Sequence, residues 1–147
     1  MANMIQSARE KVSDILAEAY ARAVEKGQLP AGAELKGSVE IPKDTSNGDY
    51  AANHAMAGAK ALRMAPRKIA EALAENAELG GSWFASVEVA GPGFINFRLS
   101  DKWYEDVLRA VAAEGADYGR VDEGRGQKLM VEFVSANPTG PMHMGNA

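Results

Sequence analysis

The 147-residue sequence has no cysteine and only two histidines. The absence of thiols excludes disulfides and thiolate-bound metals, and two histidines are too few for a histidine-rich zinc site, so we expect no metal site. No apolar run approaches the roughly 18 residues that a membrane helix requires, and residues 1–7 lack the pattern of a signal or transit peptide. We therefore expect no membrane partner and a cytoplasmic location.

The charge is unevenly distributed along the chain. The net charge of −4 argues against a general nucleic-acid binder, since such proteins are usually basic. Residues 43–68, however, contain five cations against two anions and are net +3, which leaves −7 on the rest. With 46% hydrophobic residues, the chain has enough apolar material for one domain of ordinary size, with part of a second.

The pattern of apolar and turn residues predicts an α+β fold, with a small antiparallel sheet packed against about four helices. Strands are predicted over residues 37–41, 87–89 and 94–99, with Gly91–Gly93 as the turn between the last two. Helices are predicted over residues 4–26, over the alanine-rich residues 50–62, from Pro66 towards Gly80, and from a capping Ser100 to near Gly115.

The end of the chain has a different character. Residues 117–127 are polar and rich in glycine, which predicts a linker between a domain at 1–116 and a new segment at 128–147. In that segment a β-branched run, residues 129–134, precedes a proline- and glycine-rich loop and then His143-x-Gly145-Asn146. A strand, a loop and a helix start in this order are typical of nucleotide phosphate sites. Taken alone, four letters are a weak signal, and the alternative is a loop histidine beside a helix cap.

The longer segment from Glu132 to Asn146 resembles the first catalytic strand and the H-x-G-H motif of class I aminoacyl-tRNA synthetases. Its sequence is similar to that of arginyl-tRNA synthetases. Upstream, Gly48-Asp-Tyr-Ala-Ala-Asn53 and residues 64–70 and 87–97 resemble the N-terminal additional domain of the same family. The resemblance implies that residues 1–116 bind the tRNA elbow and that residues 128–147 begin a Rossmann catalytic domain. The parent enzyme would activate arginine with ATP and Mg²⁺ and transfer it to tRNA(Arg), whereas this fragment alone is predicted to be inactive.

The resemblance also assigns site residues in the last segment. His143 and Asn146 would be catalytic and, with Gly145, would contact ATP. Asn146 replaces the second histidine of the motif, and its amide cannot supply a positive charge. Glu132, Ser135 and Asn137 are the residues implied to bind arginine. A carboxylate at Glu132 suits a planar guanidinium, although a solvent-facing strand residue is the alternative.

The residues implied to bind the D-loop at the tRNA elbow are Asn47, Tyr50, Lys60, Arg63 and Arg67. Tyr50 could stack on an unpaired base or could be a core aromatic, and the sequence favours neither. Ala52 replaces a glutamine of some family members, which leaves open the base that is read. We expect His54 to be a solvated helix residue, and Trp83 and Trp103 to lie in the core.

Two other functions stay open on the sequence. A small nucleotidylyltransferase also uses an H-x-G-H motif, but is expected to carry it near the N-terminus. A free-standing RNA-binding module would have no enzymatic parent. In addition, the apolar run at residues 129–134 would have unpaired backbone groups, so we expect it to favour self-association.

Overall fold

The computed structural model describes residues 3–120, 124–132 and 140. The fold is α+β, as predicted, with four helices and a four-stranded sheet in the described ranges. The helices are α1 (Met4–Glu25), α2 (His54–Leu62), α3 (Pro66–Glu75) and α4 (Asp101–Glu114), and the strands are β1 (Val39–Glu40), β2 (Tyr50–Ala52), β3 (Phe84–Ala90) and β4 (Phe94–Leu99). Short 3₁₀ turns lie at Thr45–Asn47 and Gly115–Asp117.

The sheet is antiparallel throughout and has the order β1-β2-β4-β3. Strands β3 and β4 form the predicted hairpin. The predicted helix over residues 50–62 is wrong at its start, because Tyr50–Ala52 is a strand inserted between β1 and β4 and the helix begins at His54. Alanine favours a helix locally. Residues 50–52 form a strand instead, because β2 lies between β1 and β4 and hydrogen-bonds to both of them.

The alternation of side chains divides the sheet into a core face and a solvent face. Tyr50 pairs with Phe97, and Ala52 pairs with Ile95, so all four lie on the core face, where each is buried. Helices α1, α2 and α3 cover this face and complete the core. Their largest contributions are Val12, Ile15 and Leu16 of α1, Leu62 of α2, and Ile69 and Leu73 of α3.

Local sequence signals explain most helix ends. The Asn3 side chain accepts a hydrogen bond from the Gln6 N–H at 3.0 Å and so caps α1. Pro66 occupies the first turn of α3, as predicted. Ser100 stands at the N-cap of α4, also as predicted, but its hydroxyl donates to the Trp83 carbonyl instead of capping the helix. This bond ties the helix start to the residue just before β3.

Trp83 and Trp103 are partly buried and pack against the core. The Trp83 indole N–H also donates to Asp106 at 2.9 Å, which anchors α4. Residues 127–132 form neither helix nor strand, and Leu129, Met130 and Val131 are exposed, so the strand predicted from residue 129 is not confirmed there. A strand is defined by its pairing, and no described segment pairs with these residues. None of the described helices has the length and apolar character needed to cross a membrane.

Substitution of the two phenylalanines of β4 can test whether the sheet has a core face and a solvent face. Phe97 is fully buried and lies 5.3 Å from Phe84 in an edge-to-face contact, whereas Phe94 is 39% exposed. We expect Phe97→Ala to lower the free energy of unfolding by about 3–5 kcal/mol, and Phe94→Ala by roughly 1 kcal/mol or less. Urea unfolding followed by circular dichroism measures both. Equal losses would show that the two faces are not distinct.

Candidate functional site

A cavity of about 380 Å³ opens on the solvent face of the sheet. We call it the sheet-face cavity. Each of the four strands contributes solvent-facing residues to it, and the adjoining loops contribute the rest. The lining residues are Glu40, Pro42, Asn47, Ala51, Ala90, Gly91, Pro92, Phe94 and Asn96.

Strand register produces the cavity. Glu40 pairs with Ala51, Ala51 with Asn96, and Phe94 with Ala90, so these side chains share the solvent face. The two alanines leave space between the larger side chains. Phe94 is 39% exposed, and Asn96 at the centre of the row is only 7% exposed. The result is an open aromatic ring next to a recessed amide.

Asn47 reaches the cavity from the 3₁₀ turn at Thr45–Asn47. The Asp44 carboxylate accepts a hydrogen bond from the Ser46 N–H at 2.9 Å, which also lowers the pKa of Asp44 below its ordinary value. The Arg98 guanidinium donates to the Ser46 carbonyl at 2.8 Å from the neighbouring strand. The turn is therefore fixed at both sides of Ser46. Within the described ranges, the side-chain amides of Asn47 and Asn96 have no hydrogen-bond partner.

Positive charge reaches the cavity through α3. Gly93, at φ +146°, has no room for a side chain because Pro66 packs against it, so the start of α3 is held on the β3–β4 turn. Arg67 then donates to the Gly91 carbonyl at 3.0 Å and pairs with Glu71 at 3.0 Å. The face is mixed in charge, since Glu40 lines the cavity and Glu88 pairs with Asn96 in the same row.

The predicted tRNA-binding residues are thus only partly brought together. Asn47 lines the cavity and Arg67 borders it. Lys60 and Arg63 are exposed on or just after α2, without an ion pair or a contact to the cavity among the described residues. Their charge is available to a long polyanion, but they do not belong to the cavity.

Tyr50 lies on the other face of the sheet. Its side chain is 3% exposed, and its ring packs edge-to-face on Phe84 at 6.0 Å, which agrees with the core alternative and not with base stacking in this conformation. Burial raises the pKa of its hydroxyl. Ala52 is fully buried on the same face, so a longer amide there would enter the core. The residue of β2 that faces the cavity is Ala51.

The segment Gly48-Asp-Tyr-Ala-Ala-Asn53 acts mainly as a structural clamp. Gly48 has φ +85°, and a Cβ there would lie 2.8 Å from the Phe97 carbonyl oxygen, so only glycine lets the chain approach β4. The Asp49 N–H donates to that carbonyl at 2.9 Å, and the Asp49 carboxylate accepts from the Leu99 N–H at 2.7 Å.

Asn53 closes the other end of this clamp. Its side-chain oxygen accepts from the Ser38 N–H at 2.7 Å, and its amide donates to the Ser38 hydroxyl at 2.9 Å. The two ends therefore hold β2 between β4 and the segment that leads into β1. The resemblance implied RNA binding for only one residue of this segment, Tyr50; the hydrogen bonds of Asp49 and Asn53 hold the sheet together.

His54 departs from its predicted role as a solvated residue, because only 5% of it is exposed. It is the first residue of α2 and packs against Gly37, where a Cβ would lie 2.6 Å from the His54 Nδ1. That nitrogen has no hydrogen-bond partner in the described part of the chain. Burial lowers the pKa of the imidazole, which favours the neutral form.

The residues predicted to bind arginine and ATP fall at the end of the chain. Glu132 is exposed in a segment without helix or strand. Ser135, Asn137, His143, Gly145 and Asn146 lie outside the described residues. In the ranges that the structure does describe, no group of three or more histidine and carboxylate side chains is arranged to hold a metal ion.

Sequence comparison decides the family. A profile described as "Arginyl tRNA synthetase N terminal domain" matches residues 6–99, which include the sheet, the clamp and the whole cavity lining. The chain belongs to the arginyl-tRNA synthetase N-terminal domain family.

Relatives in the family match all or most of the chain. An arginine–tRNA ligase of Acetivibrio thermocellus is 46% identical over 147 residues, and one of Caldanaerobacter subterraneus is 48% identical over the same length. One from Paracoccus denitrificans is 52% identical over 129 residues. The chain spans about a quarter of the length of these relatives: 26%, 26% and 22%.

A solved structure shares the fold of this domain. The arginyl-tRNA synthetase of Plasmodium falciparum matches with a TM-score of 0.52 and 21% identity, over 70% of this chain and 18% of that one. At this identity the likeness concerns the fold alone.

Sequence reasoning missed Phe94, Asn96 and Arg98 as site residues. The signal was the alternation of β4, in which an aromatic and an asparagine share one face while Ile95 and Phe97 share the other. Each face of β4 carries one phenylalanine, Phe94 or Phe97. The hydrophobicity of these residues therefore did not reveal which face of the strand is buried in the arginyl-tRNA synthetase N-terminal domain.

The hydrogen bond from the Leu99 N–H to the Asp49 carboxylate should contribute to the stability of the fold. We expect Asp49→Ala to lower the free energy of unfolding by about 1–3 kcal/mol, because the partly buried Leu99 N–H loses a charged acceptor. Glu88→Ala is the matched control, since Glu88 is exposed on the sheet and should change stability by no more than about 0.5 kcal/mol. Thermal or urea unfolding compares them. A loss no greater than that of the control would remove Asp49 from the clamp.

Burial of His54 predicts a dependence of stability on pH. The folded pKa is lowered, whereas the unfolded chain has the ordinary value of 6.5, so between the two the unfolded chain binds more protons. The free energy of unfolding should therefore fall as the pH is lowered from about 7 to about 5. His54→Gln should flatten this fall. Asp44 and Asp106 have lowered pKa values from 3.8, so their contributions are lost only in stronger acid. An unchanged slope in the variant would contradict the assignment.

Proposed function

We propose that this chain is the tRNA-binding part of an arginyl-tRNA synthetase and that the sheet-face cavity receives an unpaired base of the tRNA elbow. The observation that carries the proposal is the exposed Phe94 ring beside the amides of Asn47 and Asn96, which have no hydrogen-bond partner among the described residues. Unpaired bases are recognised in this way, by stacking on an aromatic ring and by hydrogen bonds to their edges.

The two amides suit the edge of a base. Each amide has two N–H donors and a carbonyl acceptor, so a pair of them can match donors and acceptors on the same base. Asn47 approaches from the turn and Asn96 from the sheet floor, and both line one cavity. The Glu40 carboxylate at the rim can accept a further hydrogen bond from an exocyclic amine. A base held here would be read on its edge as well as on its ring face.

Cations next to the cavity suit the RNA backbone. Arg67 borders the cavity through Gly91, and Arg98 lies on the same sheet face beside the turn. Lys60 and Arg63, which make no ion pair within the described ranges, extend the positive charge along the chain. Phosphate contacts of this kind give affinity without sequence preference and weaken with salt. Base selection would thus come from the cavity and affinity from the surrounding cations.

The full-length protein, on this proposal, activates arginine with ATP and Mg²⁺ and transfers it to tRNA(Arg) in the cytoplasm. The similarity to arginine–tRNA ligases over the whole chain supports this and disfavours the nucleotidylyltransferase and the free-standing RNA module. His143, Gly145 and Asn146 would contact ATP, with His143 and Asn146 catalytic, and Glu132, Ser135 and Asn137 would bind arginine. The 147-residue chain alone would be inactive.

Phe94→Ala tests the base site. Loss of one stacking ring is worth about 1–3 kcal/mol, so affinity for tRNA should fall roughly 5- to 150-fold at low salt. Tyr104→Ala is the matched control, because Tyr104 is an exposed aromatic on α4, away from the cavity. Titration of fluorescently labelled tRNA with the 147-residue chain measures both affinities.

The outcome distinguishes the two faces of the sheet. Unchanged affinity in Phe94→Ala would reject the cavity as the base site. Tyr50→Phe should keep tRNA affinity, since the ring remains in the core. A large loss in Tyr50→Phe with unaltered stability would return base recognition to Tyr50.

A further inference from the structure

Helix α4 differs from the other helices in burying none of its residues. Tyr104, Leu108 and Val111 form an apolar stripe on it, which we call the α4 patch, and their exposed fractions are 52%, 68% and 38%. Their spacing of four and three residues places them on one side of the helix. A helix with an apolar stripe in water is usually covered by another element.

Four charged residues of α4, away from the centre of the stripe, pair with one another. Lys102 pairs with Asp106 at 2.6 Å, and Arg109 pairs with Glu105 at 3.6 Å and with Asp106 at 3.5 Å. The charges of these four residues are therefore directed at one another and not at the α4 patch. Trp103 and Val107, next to the patch, face a cleft of about 290 Å³ that Ile5 and Tyr118 also line. The apolar surface thus extends from α4 to residues before and after it.

The chain continues from this surface into more exposed apolar residues. Leu129, Met130 and Val131 follow α4, and with the α4 patch, Ile5 and Tyr118 they account for eight of the ten exposed large hydrophobic residues of the described chain. The relatives are about four times as long as this chain, and the matched family is an N-terminal domain, so in proteins of that length the remaining domains follow α4.

We infer that the α4 patch is the docking surface for the domain that follows this one in the full-length protein, an inference that rests on the proposed function. The 14 residues between α4 and Leu129 span at most about 50 Å, so that domain stays tethered close to the patch. Tethering gives a high effective concentration, which favours this occupant over a second copy of the chain. Docking would cover Tyr104, Leu108 and Val111 together and fix the orientation of the sheet-face cavity relative to the rest of the enzyme.

Hydroxyl-radical footprinting of the 147-residue chain and of the full-length protein, both without tRNA, arginine and ATP, tests the inference. Labelling of Tyr104 and Leu108 should fall several-fold in the full-length protein, whereas labelling of Phe94 should stay the same. In the full-length protein, Leu108→Asp should restore the labelling of Tyr104. In the 147-residue chain the same variant should leave the melting temperature unchanged, because Leu108 is exposed there.

Equal labelling of Tyr104 and Leu108 in the two proteins would overturn the inference. Labelling that falls only as the concentration of the 147-residue chain rises, without protection in dilute full-length protein, would assign the patch to a second copy and would also overturn it. Neither result depends on RNA. A failure of the base site would instead appear as unchanged tRNA affinity in Phe94→Ala, so the two failures are distinguishable.

Discussion

The pairing of β2 with β4 is the interaction on which the rest of the structure depends. Strand β2 has only three residues, and three contacts fix its position. Gly48 lies close against the backbone of β4, the Asp49 carboxylate accepts a hydrogen bond from the Leu99 N–H, and Asn53 is hydrogen-bonded to Ser38. This pairing places Tyr50 and Ala52 in the core and Ala51 on the solvent face. A shift of one residue would exchange the two faces, because side chains alternate along a strand. The clamp therefore sets both the core and the cavity.

The same pairing explains which parts of the fold the sequence could predict. Helix α1, the start of α3, the β3–β4 hairpin and the end of α4 follow from periodicity and from turn residues, which act locally. Strand β2 does not, since three residues rich in alanine carry no strand signal and become a strand only through partners 13 and 43 residues away: Ala52 pairs with Val39 on one side and with Ile95 on the other. The burial of His54 escaped prediction for a similar reason, because it depends on the close approach of Gly37.

The candidate site was predicted in part. Asn47 and Arg67 are in or beside the sheet-face cavity, because a turn and a helix start can be recognised from local sequence. The sequence could not show which aromatic ring is exposed, since Tyr50, Phe94 and Phe97 all lie on strands and only the tertiary structure decides which of them meets solvent. Most of the segment that the family resemblance singled out at residues 48–53 forms the clamp, and the neighbouring strand supplies the exposed ring. The residues predicted to bind ATP lie outside the described residues, so their arrangement stays a prediction.

The two alanines that leave space in the sheet-face cavity have a consequence for how this domain can diverge. Ala51 and Ala90 contribute to the sheet through their backbones, and their side chains face solvent, so larger residues at either position would reshape the cavity without entering the core. The shape of the cavity could change in this way while the hydrogen bonds of the sheet stay intact. The shape of the cavity and the packing of the core are thereby separable at neighbouring positions of one strand, since Ala51 lines the cavity whereas Tyr50 and Ala52 are buried in the core.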